Sequence, residues 1–566
     1  MRLPDWIVLA ITLLGIILYG LYKSRTTKNL EGYFLSNRTL PWYLVLLSIM
    51  GTQASAITFL SGPGQAYTDG MRFVQYYFGL PLAMVVLCIT FVPIFNRLKV
   101  FTAYEYLEQR FDVKTRALTS FLFLLQRGLS TGISVAAPSI ILSALLGWDI
   151  TWTNIFMGGL LIIYTVTGGA KAVAYTQQLQ LIIIFAGMFL AAYLVITMLP
   201  DNMSFTDALR VSGRADKLNV ITTGAEKGSF DWTDRYNIWS GIIGGFFLAL
   251  SYFGTDQSQV GRYLTAKSTS ESRLGLLMNG LVKVPMQFLI LLVGALVFVF
   301  YQFNPAPLFF NQSQVDKAKN TAYAQQVQQI QRQYDSVNIV KKQYLQQWVN
   351  NGAHEAAWEA LNKQSDSLRA SFKEILKRPD VQGEHNDTNY IFLRFVVDYL
   401  PKGLVGLLIA VIFLAAWGSI AAALNSLASS TMVDFHKRFS RRQLEQKAEY
   451  RWSQWYTFLW GVFCIIVAQF ATVLGNSLIE AVNILGSLFY GVILGIFLVA
   501  FYLKRIGSTA VFISALVVEA GVMLSFKYSN IGFLWLNAIG ALGVVMLSIM
   551  LDPVVKSTAT NAQKKS

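Results

Sequence analysis

The chain has 566 residues, 54% hydrophobic and 14% charged, with a formal net charge of +15. Soluble globular chains carry about 25% charged residues, so this composition excludes an ordinary soluble domain and points to an all-α protein that crosses a lipid bilayer many times. Cys88 and Cys464 lie in apolar runs and His354, His385 and His436 lie outside any candidate span, which excludes a disulfide framework, a metal cluster and a histidine proton relay.

About thirteen apolar segments approach the ~20 residues that one crossing needs. They lie near 4–23, 40–69, 74–96, 117–146, 150–167, 176–199, 237–260, 274–301, 391–433, 453–474, 478–503, 508–527 and 531–551. The first has a short polar lead and no small-residue cleavage site, so it reads as a retained helix. The second contains Gly51-Thr-Gln-Ala-Ser-Ala-Ile-Thr-Phe-Leu-Ser-Gly-Pro-Gly64, crowded with hydroxyls, glycines and a proline. Non-helical backbone at membrane depth survives only where it is buried in protein or lines a cavity, so this stretch predicts a broken helix at an ion or substrate site. Packing through small residues is the competing reading. The segment at 391–433 is too long for one straight span and predicts a bend.

Alternate loops differ sharply in Lys and Arg. One set holds Lys23 to Arg38, Arg97 to Arg116, Lys171, Arg262 to Arg273, His436 to Arg451, Lys504-Arg505 and Lys564-Lys565. The other short loops, at Trp148-Asp149, Leu474-Gly-Asn476 and Lys527 to Asn530, are sparse. The basic set is expected to face the cytoplasm, with the N-terminus outside and the C-terminus inside. The positive excess is therefore topological, and no nucleic-acid partner is expected. Two outside loops are long: 200–236 is irregular, and 303–389 holds a Gln/Lys/Ala-rich region that predicts two or three amphipathic helices.

No P-loop, dinucleotide fingerprint or His-Glu-x-x-His motif occurs. Without a nucleotide module, solute movement has to be driven by a gradient, most simply of an ion.

Six landmarks in order resemble the sodium:solute symporter family. They are Tyr33-Phe-Leu-Ser-Asn-Arg38, Ser55 to Leu60 with Pro63-Gly64, and Thr102-Ala-Tyr-Glu-Tyr-Leu-Glu-Gln-Arg-Phe111. Gly168-Gly-Ala-Lys-Ala-Val173, Thr255-Asp-Gln-Ser-Gln-Val-Gly-Arg262 with Ala266-Lys267, and Leu424-Asn-Ser426 with Asp434 follow. The resemblance implies a leucine-transporter-like core of two inverted five-helix repeats, formed by spans two to eleven. On that basis 1–39 is an extra helix and cytoplasmic loop, and 40–302 the first repeat and start of the second. Residues 303–389 are an external helical insert, 390–505 the rest of the core, and 506–566 extra helices and a tail.

The resemblance also implies a sodium site made by the Gly51 and Ala54 carbonyls with Ala415 and Ser419. Here the family pattern of two adjacent hydroxyls reads Gly418-Ser419, so water, Thr52 or Gln53 has to replace one ligand; alternatively Ser419 only bonds its own helix. Relatives with a second sodium place an aspartate after the Gly-Gly motif and serines on the later helix. This chain has Gln177, Ala421 and Ala422, and no second sodium is expected.

Arg127 lies deep in the fourth span, where a charge costs at least a few kcal/mol and is functional by default. Its planar fork suits a carboxylate; snorkelling or pairing with Asp256 would make it structural. Sialic-acid carriers of the family resemble this arrangement, with hydroxyls on the broken helix where Ser55 and Thr58 stand. Phe73, Gln75 and Tyr76 fall where the family also contacts substrate, and Tyr252 and Phe253 where it places an aromatic gate. Asp256, Gln257 and Arg262 read as a structural or gating network, and Glu105, Glu108 and Arg110 as structural loop residues.

The expectation is sodium-coupled symport of a small organic acid such as sialic acid across a bacterial inner membrane. Proton coupling stays open because Gly418 weakens the cation site, and a sugar or other neutral solute is the alternative cargo. A transporter-fold sensor is disfavoured by the short tail after the last span. An enzyme is disfavoured because the spans offer no nucleophile–base pair or carboxylate dyad.

Overall fold

A computed structural model describes residues 2–24, 30–226, 229–352, 354–440, 445–471 and 477–563. The basic residues Arg25, Arg441, Arg442, Lys564 and Lys565, the loop at 474–476 and the side chains at 167–172 lie outside the described residues.

Helices dominate. Among the described residues, eight are long and apolar enough to cross a membrane: Leu3–Gly20, Met71–Leu98, Val173–Thr197, Thr269–Phe303, Leu404–Phe439, Leu478–Tyr502, Ser508–Tyr528 and Phe533–Val555. A ninth arises if Trp42–Gln53 and Ala56–Asp69, bent by 60° at their junction, count as one span. Other expected segments are also helical but shorter or more polar. Ile150–Ile163 and Ser240–Thr255 are short apolar helices, while the 34-residue helix Val113–Leu146 carries Arg116, Gln126 and Arg127 on buried positions. The segments expected separately at 150–167 and 176–199 run through as one helix, Ile150–Thr197. The bend expected within 391–433 falls between Thr388–Tyr399 and Leu404–Ser430, where Gly403 adopts φ +85°, a conformation that costs glycine nothing.

Local chemistry explains these boundaries. Asp112 caps Val113–Leu146 by accepting from the Thr115 N–H at 2.8 Å, and Gly147 ends it at φ +68°. A second interruption was not expected. The segment near 237–260 stops at Thr255, Asp256 turns extended (φ −76°, ψ 116°), and Gln257–Tyr263 starts a new helix capped by the Asp256 carboxylate. At the end of Leu404–Phe439 facing the 102–120 region, buried Asp434 accepts from Thr102 (2.7 Å), Ser120 (3.0 Å) and Arg116 (2.7 Å), and Arg116 also pairs with Glu108.

Between the spans stands a helical insert. Ala324–Asn351 and Glu355–Lys377 lie against each other with the Trp348 and Trp358 rings stacked, their centroids 5.1 Å apart. Leu308, Phe309, Val315, Tyr334 and Phe372 give it a small core of its own. Buried Asp387 holds Arg369 (2.6 Å) and Lys373 (3.2 Å) and accepts from the Phe310 N–H.

Glu384 accepts from Asn311 and Tyr390, both at 3.0 Å, and burial pushes its carboxyl up to about 7. The folded state thus holds this proton more tightly than the unfolded chain. The stabilisation it brings is complete below about pH 4.5 and is lost as pH rises to about 7. Glu384→Gln is expected to flatten the fall in thermal midpoint over that window, read by thermal melts at stepped pH.

Candidate functional site

The junction of Trp42–Gln53 and Ala56–Asp69 lies inside the Gly51–Gly64 stretch. Ala54 leaves the helix (φ −80°, ψ 78°) and Ser55 is extended. The Ser55 N–H turns back to the Gln53 carbonyl at 3.0 Å, which releases the Gly51 carbonyl from the ladder bond a continuous helix would give it. Two short helices therefore point their ends, with free backbone dipoles, at one buried place.

A cavity of about 90 Å³ opens beside this break, with Gln53, Ser55, Thr58, Tyr76, Tyr77, Arg127, Tyr252 and Tyr490 on its wall. Four of the seven residues expected at the substrate site, Ser55, Thr58, Arg127 and Tyr252, thus converge. Phe73, Gln75 and Phe253 do not. Phe73 stacks behind Tyr76 (5.5 Å between centroids) and meets Tyr236. Gln75 spends its amide on Thr222 and on the Tyr236 carbonyl, pinning the loop at 200–236. Buried Phe253 packs edge-on to Tyr252. Tyr77 and Tyr490 line the wall instead and were not expected.

Arg127 stands at the crossing of the two interruptions. Its guanidinium reaches Ser258 Oγ (2.5 Å) and lies 3.7 Å from Asp256, with the Tyr252 ring 5.5 Å from its centre. Asp256 is held independently of the arginine, by the Ser258 N–H (2.8 Å), the Ser258 hydroxyl (2.6 Å) and the Tyr490 hydroxyl (2.8 Å). The Arg127 Nε has no partner among the described residues. The guanidinium thus keeps an unspent donor beside the cavity that the residue lines.

The four residues expected to hold sodium come from the Trp42–Gln53 junction and from Leu404–Ser430, which pack together. Ser419 donates to the Ala415 carbonyl (3.0 Å) and lies 3.1 Å from that of Ala416. Between the two helices sits Gln177, fully buried. Its amide accepts from Ser48 (2.9 Å) and donates to the Gly418 carbonyl (3.0 Å) and the Thr52 hydroxyl (3.3 Å). A Cβ on Gly51 would lie 2.9 Å from Gln177 Cγ, and one on Gly418 2.5 Å from Gln180 Oε1. The glycine that displaces a hydroxyl at 418 therefore makes room for two glutamines. Ala421 and Ala422 pack on Val173 in a small apolar cluster.

Comparison with known proteins gives consistent matches. Residues 33–332 and 374–517 match the sodium:solute symporter family. The sodium/sialic acid symporter SiaT of Proteus mirabilis is 25% identical over 96% of this chain and 93% of its own length. The sodium/sialic acid symporter NanT of Aliivibrio fischeri is 24% identical over 98% and 94%. A solved substrate-bound, outward-open Na+-coupled sialic acid symporter superposes with a TM-score of 0.76 at 23% identity, over 98% of both chains. At that identity the likeness concerns the fold.

Proposed function

The chain belongs to the sodium:solute symporter family, and from that membership we propose that it takes up a small monocarboxylate of the sialic-acid class together with one sodium ion by alternating access. One observation carries the choice of substrate: Ser55, Thr58 and Arg127 share the wall of a single buried cavity at the helix break. Hydroxyls and an unspent guanidinium N–H suit a sugar acid, whose carboxylate would share the arginine with Asp256, 3.7 Å away. The relatives that transport sialic acid with sodium support the same reading.

In the mechanism, sodium occupies the Gly51, Ala54, Ala415 and Ser419 oxygens and holds the split helix against Leu404–Ser430. That favours the state in which the cavity opens outward and substrate binds. Rocking of the bundle that carries the split helix then exposes both to the cytoplasm. The two interrupted helices, at Ala54 and, unforeseen in the sequence, at Asp256, support a core of five-plus-five inverted repeats with about thirteen spans. Apolar Ala421 and Ala422, with neutral Gln177 beside them, argue for a single sodium.

The Arg127–Asp256 contact favours a second reading, in which the arginine is structural and the solute a neutral sugar. A panel of labelled sialic acid, sugars and amino acids, assayed in proteoliposomes with and without sodium, separates the two. Preference for a neutral solute would overturn the first.

The N-terminus is placed outside and the insert at 303–389 over the outer mouth, in a bacterial inner membrane. Cys88 and Cys464 are buried, so an introduced thiol gives a clean signal. Ser313→Cys, exposed on the insert, is expected to react with an impermeant maleimide in intact cells, and exposed Ser440→Cys only after lysis. The reverse pattern would invert the topology.

A further inference from the structure

The family match leaves out residues 333–373, and that stretch builds something of its own. Helices Ala324–Asn351 and Glu355–Lys377 close a cavity of about 310 Å³ against the outer end of the split helix at Tyr67 and Thr68. Lys217, Lys341, Arg369 and Lys373 line it, with Asp366 as the one carboxylate on its wall. Asp387 already engages Arg369 and Lys373. Four cations therefore face two carboxylates, an excess of two positive charges.

Lys341 decides what the excess means. It is 4% exposed, yet no carboxylate lies within ion-pair distance of it among the described residues. Lys217, by contrast, spends its ammonium on the Thr68 carbonyl at 2.8 Å. An ammonium at so enclosed a position without a carboxylate to pair with is costly, and a chain keeps one where something else supplies the charge. We propose that this cavity is a binding site for a small anion, a carboxylate, phosphate or halide, held by Lys341 with Arg369 and Lys373 and separate from the transport cavity.

Burial lowers the Lys341 ammonium to about 8, Asp366 raising it and Arg369 lowering it. The other titratable groups on the same wall are Lys217 and Lys373, with Tyr67 and Tyr334. Only the protonated amine attracts an anion, so affinity is full about a unit below pH 8 and declines as pH rises through it. The site also touches the last turn of the helix whose first turn carries Ser55 and Thr58, so occupancy would brace that helix from outside.

The test uses the purified full-length protein in detergent, with thermal midpoints read while chloride, phosphate or acetate replaces bulky gluconate. A ligand that binds only the folded state raises the midpoint in a saturable way. The expected result is such a rise with at least one anion, shrinking above pH 8 and absent in Lys341→Gln. It should be retained in Lys342→Gln, which alters the exposed neighbour. Lys373→Gln, at a half-exposed position, serves if Lys341→Gln does not fold. An equal rise in wild type and both cavity variants, or no saturable rise with any anion, overturns the proposal. So does a rise given only by the transported acid and removed by Arg127→Ala but not by Lys341→Gln, which would place the anion in the transport cavity. The expected rise and its loss in Lys341→Gln do not depend on which solute is carried.

Discussion

Arg127→Ala is expected to raise the substrate concentration for half-maximal uptake by about two orders of magnitude or more. Truncating one partner of a desolvated charge pair typically costs about 2–5 kcal/mol, and the guanidinium is buried on the cavity wall. The variant should still fold, because Asp256 keeps three hydrogen bonds from Ser258 and Tyr490 when the arginine is gone. Arg127→Lys should recover little, since an ammonium cannot present the planar fork. Direct binding of labelled sialic acid to purified protein, beside uptake, reads the effect. Normal half-saturation in a correctly inserted Arg127→Ala protein would assign the arginine to structure alone.

Uptake should collapse when choline replaces sodium, and Ser419→Ala should raise the half-saturating sodium several-fold to roughly tenfold. A hydrogen bond or ligand contact to a charged group is worth about 1.5 kcal/mol at the lower end, which is that factor. Removing the hydroxyl leaves the Ala415 carbonyl in place and takes away an oxygen that now rests on its own helix. The substrate affinity at saturating sodium should change little, which separates loss of an ion ligand from general damage. Undiminished uptake in choline, driven by a pH gradient, would replace sodium by the proton.

The break at Ala54–Ser55 was legible because the sequence there breaks the local rules of a membrane helix: glycines, a proline and five polar side chains in fourteen residues. The break at Asp256 was hidden by its setting. It follows an apolar run with no proline, and only an aspartate able to cap a new helix announced it. Phe73 and Gln75 were misplaced. They were assigned by resemblance alone; Met71–Tyr77 is a tighter helix with three residues per turn, and of the expected three only Tyr76, joined by Tyr77, lines the cavity. The partners of Gln75 stand 147 and 161 residues away in the loop at 200–236, beyond the reach of any local pattern. Arg127 was legible as a buried charge with Asp256 as one candidate partner, but its contact with Ser258 depended on the unexpected break.

Gln177 carries an energetic consequence of its own. Its amide ties two helices together without adding charge beside the expected cation site. If one sodium ion accompanies one monoanion, the pair crosses the bilayer with no net charge. The roughly 2.3 kcal/mol per elementary charge that 100 mV of membrane potential offers then does nothing for accumulation. Such a carrier concentrates its solute only as far as sodium itself is concentrated across the membrane, and depolarised and polarised vesicles fill to the same level.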